Sequence, residues 1–142
     1  MLWPVPTILP DVVTRDSSPH YISPGLRDFE ERKKHGLGQY IDERELRKND
    51  DRQLSDVLRG VSGINVRCST RTPQSCTAFS TRAGCAYALY LNGARLTSTN
   101  LQMLSVGELG AVEAYAGAGT IPAQYSGTGS ACGVLLFWSR ER

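Results

Sequence analysis

Apolar residues recur along this chain at changing intervals, and each change marks a boundary between predicted elements. Residues 1–24 carry Pro4, Pro6, Pro10, Pro19 and Pro24 with no sustained period, the pattern of an extended arm. From Gly25 the spacing predicts a short amphipathic helix, with Leu26, Phe29 and the Lys33 stem on one face, the remaining charges solvated, and His35-Gly36 as its end. Leu37, Tyr40 and Ile41 lie in a two-glycine stretch that reads as an edge strand, and Asp42 then caps a brief helix over Glu43–Lys48. Asp50-x-x-Gln53 has the form of a capping box ahead of Leu54, Val57, Leu58 and Val61, the i, i+3, i+4, i+7 stripe of an amphipathic helix.

Gly63 is placed to stop that helix in a left-handed conformation, and Ile64-Asn-Val-Arg67 alternates as a half-buried strand does. A turn-rich loop holding Cys68 and Cys76 follows. Ala86–Leu91 reads as a central strand, Asn92-Gly93 as a tight turn, and Asn100 as the cap of a helix over Leu101–Leu109. Ala111–Ala116 and Cys132–Ser139 complete the strands, the last apolar throughout and therefore covered on both faces. The predicted fold is α+β, a small mixed β-sheet of about four strands packed with two main helices. Two parts are expected: residues 1–35, a flexible N-terminal arm with one short helix, and residues 36–142, the folded domain.

Composition agrees with one globular domain. The chain has 142 residues, 40% apolar and 21% charged, with a formal net charge of +2. The densest basic run, Arg32-Lys33-Lys34, is cancelled by Asp28, Glu30 and Glu31, so a nucleic-acid partner is not expected. No apolar run approaches the roughly 20 residues of a membrane-spanning helix, and the chain is too short for a receptor-sized barrel. The opening Met1–Pro10 lacks a basic n-region and an uninterrupted apolar core, so no export signal is expected within this chain.

Candidate chemistry is sparse. Gly127-x-Gly129-x-x-Cys132 fails the dinucleotide fingerprint, and no glycine loop is followed by Gly-Lys-[Ser/Thr], so no cofactor is expected. Cys132 as a nucleophile would need a positioned base, and His20 and His35 both lie in the N-terminal third. Glu108 and Glu113 read as surface charge. The cysteines show no C-x-x-C pairs, so neither a metal site nor an enzyme is expected. Cys68, Cys76, Cys85 and Cys132 are disulfide candidates with three connectivities open to them. A Cys68–Cys76 bridge would close a short loop, and Cys85–Cys132 would join two strand-like runs at their ends. Such bonds imply an oxidising compartment such as the periplasm; four buried reduced thiols are the alternative.

Four segments together resemble the plug domain of TonB-dependent receptors over about 100 residues. Leu54-Ser-Asp-Val-Leu-Arg-Gly-Val-Ser-Gly-Ile-Asn-Val66 is similar to that family's L-x-D-L-L-x-x-x-P-G-V-x-V, and Tyr90-Leu-Asn-Gly93 to its strand ending in Asp-Gly. Leu104–Gly117 resembles L-x-x-I-P-x-x-D-I-x-x-I-E-V-x-x-G. Ala123-Gln-Tyr-Ser-Gly through Cys132–Arg140 matches A-x-Y-G…G-V-I-x-I-x-T-[KR]. Ser62, Asn92, Ala116 and Ser139 depart from the family's Pro, Asp, basic residue and Thr. Pro122–Tyr125, Cys132-Gly133 and Trp138 are similar to a barrel-less, plug-like subset that often follows a carboxypeptidase-regulatory-like domain.

The resemblance implies a non-catalytic plug on the periplasmic side of a Gram-negative outer membrane, occluding or gating a β-barrel supplied in cis or in trans. Ile8, Leu9, Pro10, Asp11, Val12, Val13 and Thr14 are loosely similar to a TonB box, the extended segment that adds as a strand to the energy-coupling protein TonB. An interdomain linker is the alternative for that segment. For the chain as a whole, the alternative is a stand-alone periplasmic interaction module with no transport role.

Overall fold

A computed structural model describes residues 23–71, 74–82, 84–126 and 132–140. Helix α1 (Pro24–His35) starts at Ser23, whose hydroxyl accepts from the Leu26 N–H, and it carries Pro24 in its first turn. Arg32, Lys33, Lys34 and His35 fill its last turn, where cations offset the exposed carbonyls. Strand β1 (Gln39–Ile41) follows, then α2 (Glu43–Arg47), capped by the Asp42 carboxylate accepting from the Glu45 N–H at 3.0 Å. Next come α3 (Leu54–Leu58), β2 (Ile64–Cys68) and β3 (Cys76–Ser80). The chain closes with β4 (Ala88–Leu91), β5 (Ala94–Arg95), β6 (Leu109–Tyr115) and β7 (Val134–Ser139).

Five of these strands form one mixed sheet in the order β1-β6-β7-β4-β5, with β4 and β7 parallel and the other pairs antiparallel. The pair β2-β3 is a separate antiparallel hairpin. Alternation along β7 sorts its side chains between two cores. Leu135 and Phe137 face the hairpin, α2 and α3, meeting Leu46, Leu54, Leu58, Ile64 and Val66. Val134, Leu136 and Trp138 face the other way, toward Phe29 of α1 and Tyr115, Ile121 and Tyr125. The architecture is therefore three-layered, with β7 buried on both sides over residues 134–138.

Three elements depart from the sequence expectation. Leu101–Leu109 is not one helix but two single 3₁₀ turns, Leu101–Met103 and Val106–Glu108, with Leu104 and Ser105 extended between them. Ser105 and Gly107 give a helix little intrinsic support. Breaking it lets Leu101, Val106 and Leu109 all turn into the hairpin-side core. Asp50 does not cap α3; its carboxylate takes Arg140 at 3.0 Å, and Gln53 holds the N-cap position with no side-chain hydrogen bond. Residues 76–80, read as loop and its margin, form β3, pairing residue for residue with β2 from Cys68↔Cys76 to Ile64↔Ser80.

Two turns show why particular residues stand where they do. Gly133 enters β7 at φ +108°, and a Cβ there would lie 2.7 Å from the Tyr87 ring and 2.8 Å from the Tyr115 carbonyl, so only glycine fits. Asn92 and Gly93 both take positive φ, 52° and 88°, in the reversal between β4 and β5.

Candidate functional site

The most constrained chemistry in the molecule surrounds Glu113. It sits in the middle of β6 with Ala111 and Tyr115 on the α1 side of the sheet, and its exposure is 0%. An unpartnered carboxylate in such a place would be prohibitively costly. The fold supplies four donors. Arg32 reaches down from α1 in a two-pronged contact, Nε to Oε1 at 2.7 Å and Nη2 to Oε2 at 2.8 Å. Trp138 Nε1 donates to Oε2 at 2.7 Å from the neighbouring strand, and the Tyr115 hydroxyl donates to Oε1. The Tyr40 hydroxyl lies 3.3 Å from that of Tyr115, bringing β1 into the same cluster.

Local sequence explains how the partners meet. Phe29 and Arg32 are three apart on α1 and share its inward face, so the buried ring and the guanidinium descend together. Glu113 and Tyr115 are two apart on one strand and point to the same face. The hydrogen bonds to Glu113 hold the Arg32 proton well above the ordinary guanidinium range. Burial, followed by the hydrogen bonds with Glu113 and Tyr40, pushes the Tyr115 phenol far above its usual value. Neither group exchanges a proton near neutral pH, so the cluster is a fixed electrostatic clamp and not an acid–base pair.

Sequence reasoning missed this site by treating Glu113 and the α1 charges as solvated. Two signals were present: a single acid flanked by apolar residues in a strand with no polar alternation, and an arginine one helical turn from Phe29.

Beside the clamp, a groove of about 350 Å³ is lined by Arg32, His35, Leu37, Tyr115, Thr120 and Pro122 among others. Arg32 and Tyr115 are already committed to Glu113, and the Thr120 hydroxyl donates to the Gly117 carbonyl at 2.7 Å. Leu37, 73% exposed, is among the lining residues. Among the described residues, no group of three His, Cys, Asp or Glu is arranged to hold a metal ion.

The structure joins Cys68 to Cys76 at the base of the loop that connects β2 to β3, and Cys85 to Cys132 just ahead of β4 and β7. With all four paired, no thiol nucleophile remains. Ile8–Thr14 lies outside the described residues. Two positions that depart from the plug pattern meet in space. The Asn92 amide donates to the Ser139 hydroxyl at 2.8 Å and its carbonyl accepts from the Ser139 N–H at 2.9 Å, which ties the β4–β5 turn to the end of β7. Asparagine can do both, whereas an ionised aspartate only accepts.

The family model of the TonB-dependent receptor plug domain matches residues 35–134. The chain belongs to the TonB-dependent receptor plug family. No curated protein matches significantly, but solved structures share the plug fold. P. aeruginosa FpvA bound to heterologous pyoverdines is 17% identical with a TM-score of 0.57, covering 78% of this chain and 15% of its own. The siderophore receptor PirA from Acinetobacter baumannii is 16% identical at TM-score 0.54, with 86% of this chain and 19% of its own covered. The RagAB peptide importer, in a closed-closed state, is 16% identical at TM-score 0.53, with 74% and 12% covered. The plug chain thus spans less than a fifth of the length of these proteins. Its β2, β4, β6 and β7 carry the four segments that resembled the plug motifs. The plug family is non-catalytic and belongs to outer-membrane receptors, and no described helix is long and apolar enough to cross a membrane.

Proposed function

We propose that this chain acts as the plug of a TonB-dependent outer-membrane receptor, occluding or gating a β-barrel for substrate uptake from the periplasmic side. The observation that carries this reading is the plug fold itself, matched over residues 35–134 and covered on one face by α1 and on the other by the hairpin. The folded unit begins with α1 and not at Gly36, because Phe29 and Arg32 complete the second core and the Glu113 clamp. The paired cysteines suit an oxidising periplasm. Ile8–Thr14 serves as the strand that adds to TonB, main-chain pairing providing the affinity.

Exporting the chain to the periplasm of its host and crosslinking it reversibly tests the assignment. Recovery in a complex with an outer-membrane β-barrel is the expected result; recovery only as free periplasmic protein would favour a stand-alone interaction module. Deleting residues 7–14 should abolish binding to the TonB C-terminal domain, and unchanged binding, or none in the intact chain, removes the TonB role from that segment.

A further inference from the structure

Cys68, Cys85 and Cys132 are all half-buried, so each disulfide can be reached from solvent, and the two bonds differ in what each one holds. Cys68 and Cys76 stand directly opposite each other in the β2–β3 register, and the strand ladder below them, from Arg67↔Thr77 to Ile64↔Ser80, pairs the same two strands independently of the sulfur bridge. Cys85 and Cys132 are 47 residues apart, against 8 for Cys68 and Cys76, and their bond fastens the approach to β4 onto the approach to β7 at the centre of the sheet. Opening the first bond leaves its hairpin paired; opening the second releases a long loop that includes β4, β5 and β6.

Polar side chains also approach the first bond. Arg59 Nη2, from the turn after α3, lies 3.3 Å from Cys68 Sγ, and Gln102 Nε2 lies 3.5 Å from Cys76 Sγ. Cys68 is half-buried and Cys76 is only 1% exposed, so an incoming nucleophile meets Cys68 first. The Arg59 side chain is 46% exposed, and its other ionic neighbour, Asp56, is 3.9 Å away. A guanidinium in this position attracts an approaching thiolate and stabilises the thiolate form of the sulfur it touches.

We propose that Cys68–Cys76 is a thiol–disulfide exchange site that accepts two electrons from a dithiol reductant protein, while Cys85–Cys132 remains closed. A thiolate of the reductant attacks Cys68 Sγ; the sulfur–sulfur bond breaks and its electron pair leaves on Cys76, beside the Gln102 amide. The reductant's second thiolate then attacks its own sulfur in the mixed disulfide, and Cys68 departs as a thiolate beside Arg59. After two protonations the chain holds two thiols, and the reductant holds the disulfide. Arg59 acts on both steps: its charge draws the incoming thiolate to Cys68, and it favours the thiolate form in which Cys68 departs.

The test uses the oxidised full chain, titrated with dithiothreitol under native conditions, quenched by alkylation and read by peptide mass. Cys68 and Cys76 should be labelled at a reductant concentration about tenfold below that needed for Cys85 and Cys132, with circular dichroism unchanged. Arg59→Gln should slow labelling about threefold, Arg59→Lys should retain most of the rate, and Arg67→Gln, whose guanidinium rests on Phe79, should not change it. Opening of Cys85–Cys132 first, loss of both bonds in one unfolding step, or a folded Arg59→Gln protein reduced as fast as wild type would each overturn the proposal.

Discussion

At Glu113 a carboxylate sits where no water reaches it, and its cost is offset by Arg32, Trp138 and Tyr115 acting at once. Removing one partner should therefore cost more than the pair is worth. Arg32→Ala leaves the carboxylate buried without its cation, and urea unfolding at neutral pH should show a loss of about 3–5 kcal/mol. Glu113→Gln costs less, about 2 kcal/mol, because Arg32 is 16% exposed and can turn toward water. A cycle through Arg32→Met and Glu113→Gln should give a coupling of about 1–3 kcal/mol; additivity within about 0.5 kcal/mol would dismiss the clamp.

Tyr115 adds a pH signature at the same scale. Its proton is held more tightly in the folded chain than in the unfolded one, by burial first and then by the bonds to Glu113 and Tyr40. That contribution is complete below about pH 10, where an unfolded tyrosine starts to ionise, and is lost as pH rises above it. Burial raises Tyr87 in the same direction. Stability followed from about pH 8 to 11 should fall less steeply in Tyr115→Phe than in wild type; identical slopes would rule out this linkage.

Among elements, those with a clear pattern were legible, amphipathic or alternating where one face is buried and apolar throughout where both are. α1, the Asp42-capped α2, β2, β4, β6 and β7 all lie close to where periodicity put them. Two elements were not legible. β3 is short, half of it small or polar, and exists because β2 pairs with it and Cys68 faces Cys76. The 101–109 segment has helical apolar spacing, but the Asn100 side-chain oxygen accepts from both the Gln102 and the Cys76 N–H groups, tying its start to β3.

The two bridges should differ in worth at this scale. Replacing Cys85 and Cys132, which are 47 positions apart, by Ser is expected to cost about 4 kcal/mol; the same change at Cys68 and Cys76, 8 positions apart, about 2.5 kcal/mol. Chemical denaturation of the two double variants gives the order directly, and the reverse order would mean that the hairpin depends on its bond more than its ladder suggests.

For the whole molecule, the layered arrangement makes α1 part of the fold. Chains starting at Ser23 and at Gly36 should behave differently. The first is expected to keep the thermal midpoint of the full chain within a few degrees. The second loses Phe29 and Arg32, exposes Trp138 and leaves Glu113 without its cation, and should unfold at least about 10 °C lower or fail to fold. Equal midpoints for the two would make α1 an appendage.

Spacing and composition along the chain were enough for the class of this protein: the order of its main elements, the glycine and Asn-Gly turns, an apolar last strand covered on both sides, and four segments whose order resembles one family. These are local properties, written in spacing that a single strand or helix must satisfy. Long-range packing settles which strands are neighbours, that β4 runs parallel to β7, which cysteines are bonded, and that Glu113 is buried at the centre of a clamp. Those outcomes depend on groups far apart in the chain, such as Arg32 and Glu113, 81 residues apart. A charge's environment is set by what folds over it, and the periodicity of its own segment carries no record of that.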